Sequence, residues 1–301
     1  MSEFRTIREL CSVVVDCPHS TPKWTANGKI VIRNKNIKHG KIDFSSPSYT
    51  DDEHFAQRIK RAKPQPGDII ITREAPIGDV GMIPENTECC LGQRMVLLRA
   101  NQSVCDNFYL LYSLQSLYVQ HQISWSEGTG TTVSNLRIPH LEQIQIPYLP
   151  LEQQAKISSV LRALEEKIEN NRRLNDNLQQ QAAALFSSLY DRTNTEVRFT
   201  DLIQILGGGT PKTGENTYWN GNIAFFTPKD VGTPYTLITE KTITEEGLSH
   251  CNSRLYPVNT VFVTARGTVG KVGMSGVPMA MNQSCYALVG KETHQLLVYF
   301  Y

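Results

Sequence analysis

Two carboxylates, Asp68 and Glu74, lie close together in this chain, and with a lysine two residues beyond Glu74 they would form a nuclease-type set; that lysine is absent. Gly270-Lys271 resembles the end of a phosphate-cradling loop, but Ala265 and Val272 stand where such a loop requires Gly and Ser or Thr. No Gly-x-Gly-x-x-Gly follows an expected strand, no His-Glu-x-x-His occurs, and no Asn/Asp-Pro-Pro-Tyr/Phe block offers amino-group methylation. Together these gaps point to binding rather than catalysis. What remains is a set of cationic and amide side chains on turn-rich segments. In the first half these are Lys23, Arg33, Lys35, Arg73, Gln93 and Arg94; in the second they are Lys212, Lys229, Arg266, Asn282 and Gln283. Such groups hold anions or form paired hydrogen bonds with planar partners.

These residues fall in an internal repeat, which decides the architecture when it is present. Pro66-Gly-Asp-Ile-Ile-Ile-Thr72 through Gly78, Gly81 and Met82 is matched by Pro257-Val-Asn-Thr-Val-Phe-Val-Thr264 through Gly270, Gly273 and Met274, at one common offset. Thr21-Pro22-Lys23 recurs as Thr210-Pro211-Lys212, and Gly92-Gln93-Arg94 is echoed by Asn282-Gln283-Ser284. An apolar strand leading into a polar turn, Ile30–Ile37, is matched by Ile223–Val231. Four matches in the same order indicate two copies of one module. Each copy predicts short strands with Gly/Pro turns: 69–72, 80–83 and 95–99, then 258–264, 271–274 and 285–289. A helix is expected over 105–124, then a polar loop from Glu127 to Pro139 and a strand at 144–146. Trp24 and Trp219 are expected as core anchors.

Between the copies, Pro150 to Tyr190 contains no Gly and no internal Pro and is rich in strong helix formers. Ile157, Leu161, Leu164, Ile168, Asn171, Asn175, Leu178, Ala182, Leu185 and Leu189 follow alternating spacings of four and three, the seam of a coiled coil. At about 1.5 Å per residue the helix would be roughly 60 Å long. Leu161, Leu164, Ile168, Asn171, Asn175, Leu178 and Leu185 are the candidate helix-pairing residues, with the two Asn fixing register.

Composition is that of an ordinary globular protein: 301 residues, 40% hydrophobic, 20% charged, net charge +1. Seven cysteines without regular spacing read as free thiols in a reducing cytoplasm rather than a disulfide framework or a metal site. Basic residues cluster at Lys29, Arg33, Lys35, Lys38 and Lys41 and again at Arg58, Lys60, Arg61 and Lys63, either as phosphate-facing patches or as solvated surface.

The Pro-Gly-Asp-Ile-Ile-Ile-Thr-Arg block with its glycines, the Gly-Gln-Arg/Asn-Gln-Ser echo, and the run from Asn135 to Gln154 into the helix together resemble the DNA-specificity subunits of type I restriction–modification systems. The resemblance covers almost the whole chain. It implies an α+β fold with two β-rich target-recognition domains, 1–150 and 192–301, separated by a coiled-coil-type spacer helix, 151–191. It implies a cytoplasmic, non-catalytic subunit that binds double-stranded DNA, each module reading half of a split target. It further implies docking of methyltransferase subunits that carry S-adenosylmethionine, and a motor-nuclease subunit using ATP and Mg2+. The eleven cationic and amide residues would then hold phosphates or read bases, Arg or Lys pairing with guanine and Gln or Asn with adenine. A second copy as complete as the first would run about 80 residues past Tyr301, so a shortened subunit is expected, with the helix pairing to another such chain. Two other classes stay open: a coiled-coil scaffold with β-rich protein- or carbohydrate-binding modules, and a nuclease–methyltransferase with its own recognition module.

Overall fold

A computed structural model describes residues 3–125, 135–190, 196–232 and 234–300. The chain is α+β and divides into two compact units, Met1–Arg172 and Arg173–Tyr301, with the division falling inside the long helix Leu151–Tyr190.

Unit 1 is organised by a four-stranded antiparallel sheet in the order Cys11–Asp16, Met95–Ala100, Ile69–Thr72, Val80–Met82. The run Ile69-Ile70-Ile71-Thr72 is buried throughout because the sheet is covered on both faces. Strand alternation sends Ile69, Ile71, Val96 and Leu98 to one core, packed under helices Asn107–Gln115, Leu117–Trp125 and Ile138–Gln143. Ile70, Met95 and Leu97 point the other way, joining Ile32, Cys89 and Leu91 of a second sheet. That sheet has Lys29–Ile32 at its centre, antiparallel to Ser48–Thr50 and parallel to Cys89–Leu91. The single helix expected over 105–124 is two helices, broken at Ser116, whose extended backbone (φ −65°, ψ 148°) and hydroxyl cap the second one.

Unit 2 repeats the plan. Ile203–Gly207, Cys285–Gly290, Val261–Thr264 and Val272–Ser275 form the corresponding antiparallel strands. Trp219–Phe226 lies antiparallel to Lys241–Ile243 and parallel to Met279–Met281. The strand expected from Val258 begins only at Val261, since Asn259 sits at φ +69° and the Pro257 carbonyl accepts from Thr260. The repeated Thr-to-Gly block is one loop built twice. In unit 1 the Gly78 N–H donates to the Thr72 carbonyl at 2.9 Å, and the Asp79 N–H donates to the Thr72 hydroxyl at 2.9 Å. In unit 2 Gly270 and Lys271 donate to the same two atoms of Thr264, at 2.9 and 3.0 Å. Gly78 and Gly270 both have φ +81°, a conformation that L side chains resist.

The 40-residue helix attaches to unit 1 through polar residues. Gln154, fully buried, donates to the carbonyls of Val104 (3.0 Å) and Leu149 (2.7 Å) and accepts from the Asp106 N–H (2.9 Å). Ser158 donates to the Asp106 carboxylate, the Tyr112 hydroxyl donates to Glu165, and Arg162 lies over the Phe108 ring. Within unit 2, Gln179 donates to the Tyr299 hydroxyl and Phe186 stacks on Phe300. The heptad seam turns elsewhere. Leu164, Ile168, Leu178 and Leu185 are 52–63% exposed, Asn171 and Asn175 are exposed, and Leu161 alone of the pairing candidates is half-buried. Among the described residues no other helix exceeds nine residues, so the seam has no helical partner of its own length there.

One buried cation ties unit 1 together. Arg58 ends helix Asp52–Arg58 and is 6% exposed. Its guanidinium donates to the carbonyls of Pro18 (3.1 Å), Ser20 (2.9 Å), Leu91 (2.6 Å) and Gly92 (2.8 Å). It belongs therefore to the interior, not to a phosphate-facing cluster, and burial lowers its pKa from the usual arginine value. Lys29 and Lys63 of the same clusters share Glu88, which holds that exposed carboxyl down at about 2.

Removing the Arg58 head group takes its donors from those four carbonyls, of which the bonds to Leu91 and Gly92 are buried. Arg58→Met should cost about 3 kcal/mol or more, read from urea or thermal unfolding; a cost below about 1 kcal/mol would refute the clamp. Six cysteines are buried and only Cys251 is partly exposed. Burial pushes the thiols of Cys89, Cys105 and Cys285 up to about 12 and Cys90 to about 11. A thiol reagent should thus titrate Cys251 in the native protein and the other six only after denaturation, with no acceleration of those six between pH 7 and 9.

Candidate nucleic-acid interface

In unit 1, five of the six sequence candidates gather on one face. A cleft of about 320 Å³ is lined by Thr21, Pro22, Trp24, Arg33, Asn34, Lys35, Ala75, Gly92, Gln93 and Arg94, and Lys23 lies in the same loop as Trp24. The parallel pairing of Lys29–Ile32 with Cys89–Leu91 places their C-terminal ends side by side, and the Gly92 N–H continues the ladder onto the Ile32 carbonyl at 2.8 Å. Arg33 therefore emerges next to Gln93 and Arg94. The turn Asn34–Asn36 is closed by the Asn36 side chain, which accepts from the Arg33 N–H at 3.0 Å and donates to the Asp43 carbonyl at 2.9 Å. Gln93 donates to the His19 carbonyl and to the Thr21 hydroxyl (3.3 Å), joining the third loop.

The charged groups are exposed and lightly tethered. The Arg33 guanidinium lies 4.9 Å from the centroid of the Trp24 ring. Lys23 pairs with Asp51 at 3.6 Å, Lys35 donates to the Ser46 hydroxyl at 3.1 Å, and Arg94 pairs with Glu74 at 3.3 Å. Exposed pairs of this kind are worth little, so each cation is free to exchange partners. Trp24 corrects the expectation of a core anchor: it is 44% exposed and forms part of the cleft wall. Trp219 is partly buried, edge-on to Phe225, with its indole N–H donating to the Lys212 carbonyl at 3.1 Å.

Arg73 corrects a second expectation. It is 9% exposed, with its guanidinium on both Asp16 oxygens at 2.9 Å, on the Leu136 carbonyl at 2.9 Å and on the Asn135 side chain at 3.2 Å. It anchors the segment after Ser134 to the central sheet instead of facing solvent. The polar loop expected from Glu127 lies, up to Ser134, outside the described residues. Glu74 and Asn34, neither of them a sequence candidate, also belong to this face. Glu74 holds Arg94, and Asn34 donates to the Glu74 carbonyl at 2.6 Å while its buried Oδ1 accepts nothing among the described residues. The repeat was the available signal for Glu74, which it sets opposite Arg266.

Unit 2 carries the same scaffold with its side chains partly kept and partly changed. The Asn282 N–H donates to the Phe226 carbonyl at 3.0 Å as Gly92 does to Ile32, and the Ala265 N–H donates to the Ser284 carbonyl at 2.8 Å as Arg73 does to Arg94. By these bonds Asn282 replaces Gly92, Gln283 replaces Gln93, Ser284 replaces Arg94 and Arg266 replaces Glu74. The Thr210 hydroxyl donates to Gln283, reproducing the link between Thr21 and Gln93 with donor and acceptor exchanged. The turn Pro228–Asp230 is closed by Asp230 accepting from the Thr227 N–H at 2.8 Å, which puts Lys229 in the place of Lys35. Lys212, Arg266 and Gln283 are exposed, Lys229 pairs with Glu240 at 3.4 Å, and Asn282 accepts from the Ser284 N–H at 3.0 Å. No described helix is long and apolar enough to cross a membrane, and no described His, Cys, Asp and Glu cluster could hold a metal.

Known proteins share this organisation. The Type I restriction modification DNA specificity domain matches residues 3–180 and again residues 192–301. The type I restriction enzyme MjaIX specificity subunit of Methanocaldococcus jannaschii is 33% identical over 98 residues, 32% of this chain and 23% of that protein. The EcoR124I/EcoR124II specificity subunit of Escherichia coli is 35% identical over 100 residues, 32% of this chain and 24% of that one. These matched stretches thus span about a quarter of the relatives' length. The type I S subunit of M. genitalium superimposes with a TM-score of 0.55 at 17% identity, over 98% of this chain and 74% of that chain, which establishes a shared fold. The repeated cleft scaffold, the helix between its copies and the two family matches give one conclusion: this chain belongs to the type I restriction–modification DNA specificity family.

Proposed function

We propose that the chain is the sequence-specific DNA-binding subunit of a type I restriction–modification complex, each unit reading half of a split target. The observation that carries this reading is the same loop scaffold built twice, keeping Lys35 and Gln93 as Lys229 and Gln283 but changing Arg33, Arg94 and Glu74 to Thr227, Ser284 and Arg266 at matching places. A fixed backbone that offers variable polar groups is what base reading requires, because each base pair presents its own pattern of donors and acceptors in the major groove. Lys23, Lys35, Lys212 and Lys229 hold phosphates and set the register; Arg33, Gln93, Arg94, Arg266, Asn282 and Gln283 reach base edges. With a net charge of only +1, attraction to DNA rests on these local groups and not on the whole molecule.

The long helix sets the spacing of the two half-sites and presents the seam from Leu161 to Leu185 to partner helices, in methyltransferase subunits or in a second specificity chain. The chemistry belongs to those partners: S-adenosylmethionine on the methyltransferase subunits, ATP and Mg2+ on a motor-nuclease subunit. The whole assembly would work in the cytoplasm.

Co-expression with a type I methyltransferase subunit, followed by mapping of methylated adenines, tests the reading. A split motif dependent on this chain is the expected result, with affinity falling steeply as salt rises, by a log–log slope of about −0.9 per phosphate held. Binding indifferent to salt and no methylation would favour a β-rich scaffold for protein or carbohydrate. Pairing through the seam has its own test. Leu164→Asp with Leu178→Asp should leave both units folded by circular dichroism and abolish association in light scattering; unchanged association would remove the seam from the interface.

A further inference from the structure

We infer that Arg94 and Glu74 together read one G·C pair in the half-site taken by unit 1. The inference rests on the DNA-binding reading above and goes beyond it by naming a base pair and the side chains that select it. Arg94 lines the cleft, its side chain 56% exposed, with its guanidinium 3.3 Å from the Glu74 carboxylate. Its backbone sits in the left-handed region, φ +65°, where a non-glycine residue is uncommon and requires the surrounding structure to hold it. That holding is visible: the Arg94 carbonyl accepts from the Arg73 N–H at 2.8 Å. Glu74 is fixed as well, since its carbonyl accepts from the Asn34 side chain at 2.6 Å.

The pairing of guanidinium and carboxylate favours a base pair. A phosphate would engage the Arg94 guanidinium alone, whereas a G·C pair can engage the guanidinium and the carboxylate 3.3 Å from it together. A G·C pair presents a different pattern in the major groove: guanine O6 and N7 accept, and the cytosine N4 amino group donates. A guanidinium supplies the two donors that guanine needs, and an adjacent carboxylate supplies the acceptor for cytosine. An A·T pair puts a donor where guanine has O6, so it would face Arg94 with an unmatched group. Lys23 and Lys35 supply the cations for the neighbouring phosphates. In unit 2 the two places are held by Ser284 and Arg266, so that unit lacks the pair and reads its half differently. The target of one chain is then asymmetric between its halves.

The test is the methylated motif written by the wild-type chain, by Arg94→Gln and by Glu74→Ala, each co-expressed with methyltransferase subunits. The wild-type motif should contain a G·C position that both variants relax, with discrimination there falling about tenfold or more while the other half-site is unchanged. In Arg94→Gln the same position should drift toward A·T, since an amide pairs with adenine. Matching unfolding midpoints would confirm that both variants keep the fold, and Glu74→Ala keeps the question open to test should Arg94→Gln not fold. A motif that neither variant alters overturns the inference. Uniform weakening at all sites with a shallower salt slope also overturns it, by assigning Arg94 to a phosphate. Absence of any methylation by the wild-type chain would instead overturn the DNA-specificity reading itself.

Discussion

A short parallel strand pair is the constraint on which each cleft depends. Lys29–Ile32 beside Cys89–Leu91, and Trp219–Phe226 beside Met279–Met281, are separated by long stretches of sequence. Parallel neighbours end at the same edge of their sheet, so the residues that follow them must share one surface. Arg33 and Arg94, or Thr227 and Ser284, come together for that reason. The ladder is short, and in each unit it is extended by one more backbone bond and by the Gln–Thr contact from a third loop.

The two units reach the same outline by different internal means. Unit 1 uses the buried Arg58 to hold the carbonyls of the two loop bases, Pro18 and Ser20 on one side and Leu91 and Gly92 on the other. In unit 2 the loop bases touch directly: a Cβ on Gly208 would lie 2.2 Å from the Asn282 carbonyl oxygen, and the Gly209 N–H donates to the Met281 carbonyl at 3.1 Å. A buried cation in one copy and a close glycine approach in the other do one job, holding the two loop bases together. Supporting the loops from behind leaves their outward side chains free to vary, which is the property a recognition surface needs.

The helix shows how an apolar surface can be kept from its own chain. Its contacts to unit 1 include those of Gln154, Ser158, Arg162, Glu165 and Glu169, polar groups with specific partners, while the seam residues Leu164, Ile168, Leu178 and Leu185 stand exposed.

Much of this architecture was legible in the residues themselves. Duplication, the helix and the Thr-to-Gly loop are written locally, in spacing, in helix-forming composition and in a glycine that must take positive φ, so sequence alone determined them. The family resemblance rested on the same local blocks. Side-chain roles are not local. Arg73 and Arg94 look alike in sequence, yet one is buried on Asp16 and the other is exposed beside Glu74. Arg58, in what reads as a surface charge cluster, is the interior clamp, and Trp24, apolar enough for a core, lines the cleft. Ser116 breaks a helix that propensity would have continued. Only the tertiary structure decided these, because what a polar side chain does depends on which groups the fold brings within about 3 Å of it, and those groups come from distant parts of the chain.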